Sequence, residues 1–344
     1  MWPGWTHDWS RPMNPKVVLL SGGVGGAKMA EGLQGILPPG ALTVVANTGD
    51  DIELYGLRIS PDVDIVTYTL SGCVHTGQGW GVAGDTFRVL ERVRELGGEP
   101  WFNLGDLDLG VHLLRTQWSR EGVGAAEITR RIGEALGLQT RVLPMCESPV
   151  HTRLDTDKGD LHLQEYLVRH RAEPVVREIR FEGVDAAIPA PGVLEALAEA
   201  EMVILAPSNP LISIGPILAV PGMRQALRSA PGIRVAVSPL VGGVSLKGPT
   251  DRMLAQLGHE VSPPGVARLF RDFLDGFVVD ERDLADDPSL SHAIADLGMR
   301  PVAFPTVMSD RAAKEGLADK VLGWARALPR KEENEANPPQ GSIP

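Results

Sequence analysis

Four apolar residues, Val17-Val18-Leu19-Leu20, run straight into Ser21-Gly22-Gly23-Val24-Gly25-Gly26-Ala27-Lys28, and an amphipathic stretch from Met29 to Leu37 follows. The apolar run suits a buried strand and the amphipathic stretch a helix, so the glycines fall between a strand and a helix N-terminus. Glycine there lets the backbone take positive φ and approach a ligand closely, while free N–H groups and the helix dipole attract an anion. The segment therefore reads as a phosphate cradle, with a purely structural glycine turn as the alternative. Its spacing fits neither G-x-G-x-x-G nor G-x-x-x-x-G-K-[ST], which argues against an ordinary nicotinamide dehydrogenase or P-loop NTPase.

The βα rhythm set by this segment continues along the chain. Ala41–Ala46 reads as a second buried strand ending in Asn47-Thr48-Gly49-Asp50-Asp51, and polar residues at a strand's carboxyl end are where open α/β sheets place ligand contacts. Plain turn chemistry is the alternative for Asn47 and Thr48. Within Leu57–Tyr68, Asp62 and Asp64 flank one residue: on a regular strand they face one side, and with a local bend they can share a divalent cation. The glycine-rich stretch 77–84 reads as a functional loop. It leads into a helix marked by Phe87, Leu90, Val93 and Leu96 and ended by Gly97-Gly98. Asp106 and Asp108 form a second D-x-D beside Asn103, equally readable as ligands or as acids of a helix first turn, and a helix resumes over Val111–Trp118. Another helix spans Ala125–Leu136 with Gly137 as its cap.

From Thr140 to Ile179 the pattern becomes antiparallel, with Leu143–Cys146 and Leu161–Val168 as strands around the turn 157–160, so residues 80–190 are expected to form an inserted subdomain. The α/β pattern returns with a helix at Val193–Leu197 and a strand at Met202–Ala206. The loop after that strand offers Ser208, Asn209, Ser213 and Gly215 to a base or ribose, or simply turns the chain. Strand Val235–Val237 precedes a second double glycine, Gly242-Gly243, with Lys247 nearby, which suits a second phosphate contact. Strands Phe277–Asp280 and Pro301–Phe304 and a helix from Ala312 to Ala327 close the domain. Residues 1–14 read as a loose leader, 15–328 as one α/β domain and 329–344 as a disordered tail.

Composition narrows the class of partner. With a net charge of −11, the chain lacks the concentration of cations that binding a nucleic-acid backbone requires. Cys73 and Cys146 form no C-x-x-C, so a disulfide framework or cysteine zinc site is not expected and the cytoplasm is the default compartment. No apolar run approaches membrane-spanning length. No H-E-x-x-H or G-x-S-x-G is present, and the chemistry rests on glycines, carboxylates, amides and a few lysines, the equipment of metal-assisted phosphoryl chemistry.

Four segments together carry a resemblance: Leu20–Lys28; Ala46–Asp51 with Ile59–Asp64; Ser208–Pro216; and Ser238–Gly243 with Lys247-Gly248-Pro249. In order and number they resemble the 2-phospho-L-lactate transferase family (CofD/FbiA) of coenzyme F-420 biosynthesis, over about Lys16 to Ala327. The resemblance implies a Rossmann-like, mostly parallel sheet with helices on both faces and an inserted subdomain, in a homodimer. It implies transfer of a phospho-lactyl or enolpyruvyl-phosphoryl group from a guanosine-diphosphate-linked donor to the deazaflavin Fo, with release of GMP and help from Mg²⁺. Substrate contacts are then expected at Gly22, Gly23, Val24, Gly25, Gly26, Asn47, Thr48, Asp64, Asn103, Ser208, Asn209, Ser213, Gly242, Gly243 and Lys247. Metal ligands are expected among Asp50, Asp51 and Asp62, and catalytic roles at Asp62 and Asp64, with Asp64 on the Fo side. The chain departs from archaeal members in having Asn103 where they have lysine and Val24 and Gly26 where they have threonines. A nucleotide-sugar-binding regulatory protein of the same superfamily and a Rossmann oxidoreductase are the competing readings.

Overall fold

The computed structural model describes residues 16–75 and 77–329; the leader and all but the first residue of the tail lie outside the described residues. Seven parallel strands form the central sheet: β1 Val17–Ser21, β2 Leu42–Ala46, β3 Arg141–Pro144, β4 Met202–Leu205, β5 Ile233–Val237, β6 Gly276–Asp280 and β7 Arg300–Phe304. Their spatial order is β3-β2-β1-β4-β5-β6-β7, the doubly wound Rossmann order extended by one strand. Such a sheet must be covered on both faces, and β1 shows how the sequence meets that demand. Successive side chains alternate, so Val17 and Leu19 enter one core with helix residues Met29, Leu33, Val66 and Leu322. Val18 and Leu20 enter the opposite core with Leu197, Ile217 and Phe273. Leu19 and Leu20 are wholly buried, and truncating either to alanine is expected to cost about 2–5 kcal/mol.

Between β2 and β3 lie a hairpin, Ile52–Leu54 with Leu57–Ile59, and four helices: α2 Pro61–Leu70, α3 Arg88–Glu95, α4 Asp106–Arg120 and α5 Ala125–Ala135. Helix α1, Gly23–Ile36, follows β1 directly. A second insertion between β3 and β4 is a three-stranded antiparallel sheet of His151–Thr156, Gly159–His162 and Val176–Glu182.

Five expectations need correction. Leu161–Val168 is not one strand: the strand ends at His162 and Glu165–Arg169 is a helical turn. Leu143 and Pro144 are not antiparallel strand residues; they pair in parallel with β2, because a short apolar run carries no mark of its partner. Residues 80–190 are consequently not one insertion, since α5 and β3 belong to the central layers. Asp62 and Asp64 lie in the first turn of α2, where Pro61 occupies a first-turn position that needs no backbone N–H, and not on a strand. The helix expected from Val111 starts at Asp106, placing both acids of the second D-x-D in its first turn.

Candidate functional site

Strand order reverses between β1 and β4, and ligands of doubly wound sheets bind outside the carboxyl ends of the strands at that point. A cavity of about 610 Å³ opens there. Gly22–Gly25 line it after β1, Asp50 after β2, Pro207–Asn209 after β4, Ser238 after β5 and Thr306–Ser309 after β7.

The glycine segment does more than turn the chain. Gly22 is extended, Gly23 takes φ +63°, and the helix is under way from Gly23. A Cβ on Gly22 would stand 2.6 Å from Ser213 Cβ and 2.8 Å from Asp62 Oδ2, and one on Gly25 would overlap the Pro207 carbonyl. A Cβ on Gly26 would collide with Ser21, and Gly26 does not line the cavity. These glycines are therefore required first by the close packing of α1 on the loop after β4. Ser208 completes that packing: its hydroxyl donates to Gly22 O at 2.7 Å and accepts from Gly22 N at 3.3 Å. The N–H groups of Val24 and Gly25, in the first turn, lack intrahelical acceptors and stand at the cavity wall.

Facing them is an acidic wall. Asp62 accepts from Gly23 N at 2.7 Å and from Asn47 Nδ2 at 2.8 Å, so its carboxylate caps the helix that the sequence reserves for an anion. Asn47 Oδ1 in turn accepts from Gly49 N. Asn47 and Thr48 do not line the cavity, contrary to the expected substrate contacts: Asn47 holds Asp62, and Thr48 is buried against Cys146. Asp50 is buried on the cavity wall. Gln164 Nε2 donates to its Oδ2 at 3.0 Å, and its Oδ1 has no hydrogen-bond partner. Burial, with Asp62 and Asp51 beside it, pushes Asp50 well above the usual carboxylate range, and burial raises Asp62 to about 6 against the pull of Asn47 and Gly23. Asp51 is pushed up to about 8 by burial, but it accepts from Ser60 Oγ and does not line the cavity, which leaves it behind the wall. The antiparallel sheet braces this corner, since His151 Nδ1 and His162 Nε2 both donate to Asp51 O, at 3.0 and 3.1 Å.

Asp64 faces the same cavity but is otherwise engaged. Arg115, buried on α4, grips both of its oxygens, with Nη1 at 2.9 Å from Oδ2. Because an arginine nitrogen can only donate, the 3.0 Å contact from Arg115 Nη1 makes His112 Nδ1 the acceptor and puts the imidazole proton on Nε2, 3.3 Å from Asp108 Oδ1. Tyr68 OH also donates to Asp108, at 2.5 Å. Asp64, Asp108 and His112 are the only trio among the described residues whose ligand atoms gather closely enough for one ion, yet Arg115 already holds Asp64 and Tyr68 holds Asp108, while His112 Nε2 is left without a hydrogen-bond partner. Burial raises the Asp64 carboxyl, and Arg115 and then His112 oppose that rise. A carboxylate held at both oxygens by a guanidinium is a fixed acceptor and a poor proton base, which narrows the role expected for it.

Asn103, Ser208, Asn209, Ser213 and Lys247 line the cavity as expected. Gly242 and Gly243 do not: at φ +60° and +75° they make the turn of the hairpin Leu240–Val241/Val244–Ser245, and Gly243 N donates to Asp283 at 2.8 Å. Sequence reasoning passed over Lys28, Tyr68, His112, Arg115 and Gln164. Asp108, His112 and Arg115 at i, i+4 and i+7 share one helical face, which is the signal that could have found that network.

A family model described as 2-phospho-L-lactate transferase CofD matches residues 17–307. A phosphoenolpyruvate transferase of Kitasatospora aureofaciens is 41% identical over 323 residues, covering 91% of this chain and 98% of that protein. A 2-phospho-L-lactate transferase of Methanosarcina mazei is 39% identical over 306 residues, covering 89% of this chain and 99% of that protein. Among solved structures, protein BH3568 from Bacillus halodurans shares the fold at a TM-score of 0.61 and 17% identity, over 90% of this chain and 100% of that one. The match across nearly the whole chain, at this identity and on this doubly wound sheet, establishes that the chain belongs to the CofD family.

Proposed function

We propose that this chain is a transferase of coenzyme F-420 biosynthesis that moves a phospho-lactyl or enolpyruvyl-phosphoryl group from a guanosine-diphosphate-linked donor to a ribityl hydroxyl of Fo, releasing GMP. The observation that supports it best is the buried, unpartnered Asp50 Oδ1 set opposite a glycine helix N-terminus in one cavity of a CofD-family chain. The residues present fit a magnesium ion: Asp50 and Asp62 are close enough to repel each other and share the cavity wall, and hard carboxylate oxygens suit Mg²⁺. Asp50 and Asp62 would hold it, and it would neutralise charge on the donor's diphosphate.

The chain's own groups then divide the work. Val24 and Gly25 N–H groups face the diphosphate, and Asn47 and Gln164 keep Asp62 and Asp50 oriented. Tyr68, Trp80, Phe102 and Leu163 form the apolar and aromatic part of the lining that suits the planar deazaflavin. Asp64, locked by Arg115, orients the ribityl chain as a hydrogen-bond acceptor. The reaction forms a bond between the ribityl oxygen and the phosphorus, breaks the bridge to GMP and passes the hydroxyl proton to solvent or to the departing GMP phosphate, so charge stabilisation and alignment outweigh any protein nucleophile. A homodimer remains part of this reading, checked by light scattering.

Purified protein incubated with Fo, Mg²⁺ and each guanylylated donor should give an Fo product heavier by the substituted phosphoryl group, with equimolar GMP, as read by mass spectrometry. Donor hydrolysis with no Fo adduct would overturn the assignment.

A further inference from the structure

The acidic wall has a basic counterpart in the same cavity. Lys28 stands one helical turn beyond Val24 on the cavity wall, half-buried, and one of its donors goes to Met308 O at 2.8 Å. Among the described residues no carboxylate pairs with it. Its charged neighbours are instead other lysines. Burial first, and then repulsion from Lys247 and Lys314, holds its ammonium below the usual lysine range, with Glu31 a weaker opposing influence. Glu31 is itself paired with Lys314 at 2.5 Å. Lys247 lines the same cavity, and its ammonium and Val24 flank the same point of the loop: a Cβ on Gly79 would lie 3.7 Å from Lys247 Nζ and 3.5 Å from Val24 Cγ1.

Two ammonium groups that repel each other across a cavity, one of them half-buried without a counter-ion, are costly unless an anion joins them there. We propose that Lys28 and Lys247 together form an oxyanion site for the phosphate chain of the substrate, binding non-bridging phosphate oxygens independently of the metal at the acidic wall. The site deepens the reading above, and rests on it only for the identity of the nucleotide that brings the phosphates. Phosphate is favoured over the carboxylate of the transferred acid because the pair adjoins the first-turn N–H groups of α1, and a phosphate chain alone has enough oxygens to engage both.

The test is calorimetric titration with pyrophosphate in EDTA, where the acidic wall can hold no metal and no nucleoside contributes. Lys28→Met and Lys247→Met should each weaken pyrophosphate at least tenfold, about 1.4 kcal/mol. Lys28→Arg should keep most of the affinity, and Lys314→Met, which removes a charge outside the cavity, should leave it unchanged. Lys247 is exposed, so its variant separates loss of binding from loss of folding. Wild-type affinity in both methionine variants, an equal loss in Lys314→Met, or no pyrophosphate binding by the wild type would each overturn the site. A wild type that binds pyrophosphate but fails to prefer GDP over ADP would keep the site and contradict the guanosine assignment.

Discussion

Two D-x-D pairs in this chain look alike in sequence and are used differently. Asp62 and Asp64 open α2; Asp106 and Asp108 open α4; each pair sits in a helix first turn where acids favour the dipole. Asp106 stays at the surface and caps a neighbour, accepting from Arg88 N and Val89 N at the start of α3. Asp85 returns the favour by accepting from Leu107 N and Asp108 N. Asp62 instead caps α1 from inside a cavity, and Asp64 is neutralised by a buried arginine. The local chemistry of the two pairs is the same, and burial decides which carboxylate is structural and which is available to a ligand.

The comparison breaks most sharply at Asp64. Asp64→Ala strands the Arg115 guanidinium in the interior and should cost about 3–5 kcal/mol in urea unfolding, whereas Asp64→Ala combined with Arg115→Met should recover much of it. Additive losses in the double variant would mean that the two residues do not act as a pair.

Asp62→Asn comes next. It keeps the size of the side chain but leaves one acceptor oxygen where Asp62 serves both Gly23 N and Asn47 Nδ2, so stability should fall by about 1 kcal/mol, while turnover should fall by roughly 10²-fold from lost charge at the diphosphate. Turnover within a factor of two of wild type would remove Asp62 from the chemistry.

A pH series in EDTA sharpens the same point. The Asp62 carboxyl rises on folding from near 4 to about 6, so between those values the native state holds a proton the unfolded chain has lost. Wild-type stability relative to Asp62→Asn should therefore decline as pH rises from about 4 to about 6 and level off above that. A gap that widens only above pH 7 would assign the titration to another group.

The smallest effect belongs to Asp106. Asp106→Asn should lower the melting temperature slightly through weaker capping of α3 and leave kcat and KM for Fo unaltered. A large loss of turnover there would show that Asp106 reaches the substrate after all.

What could be read in the sequence follows from how local each cause is. β1, β2, β4 and β5 are short apolar runs bounded by turn residues, and the carboxyl-end loops of β1 and β4 announced the cavity through Gly22–Gly25 and Ser208-Asn209. Helix α2 was hidden by β-branched Val63, Ile65, Val66 and Thr67, although Ser60-Pro61 followed by two acids is a helix start. The clamp on Asp64 was out of reach because Arg115 lies 51 residues away and only tertiary packing joins them. The two double glycines show the same limit: Gly22 and Gly25 are required by close approach of backbone, whereas Gly242 and Gly243 supply positive φ to a hairpin, and composition does not tell these apart.

The most direct test of the acidic wall as the seat of the metal is titration of the purified protein with Mn²⁺, an Mg²⁺ surrogate, followed by electron paramagnetic resonance. One tight site in the wild type, lost in Asp50→Asn and in Asp62→Asn and retained in Asp106→Asn, is the predicted result. Equal Mn²⁺ affinity in all four proteins would contradict the account.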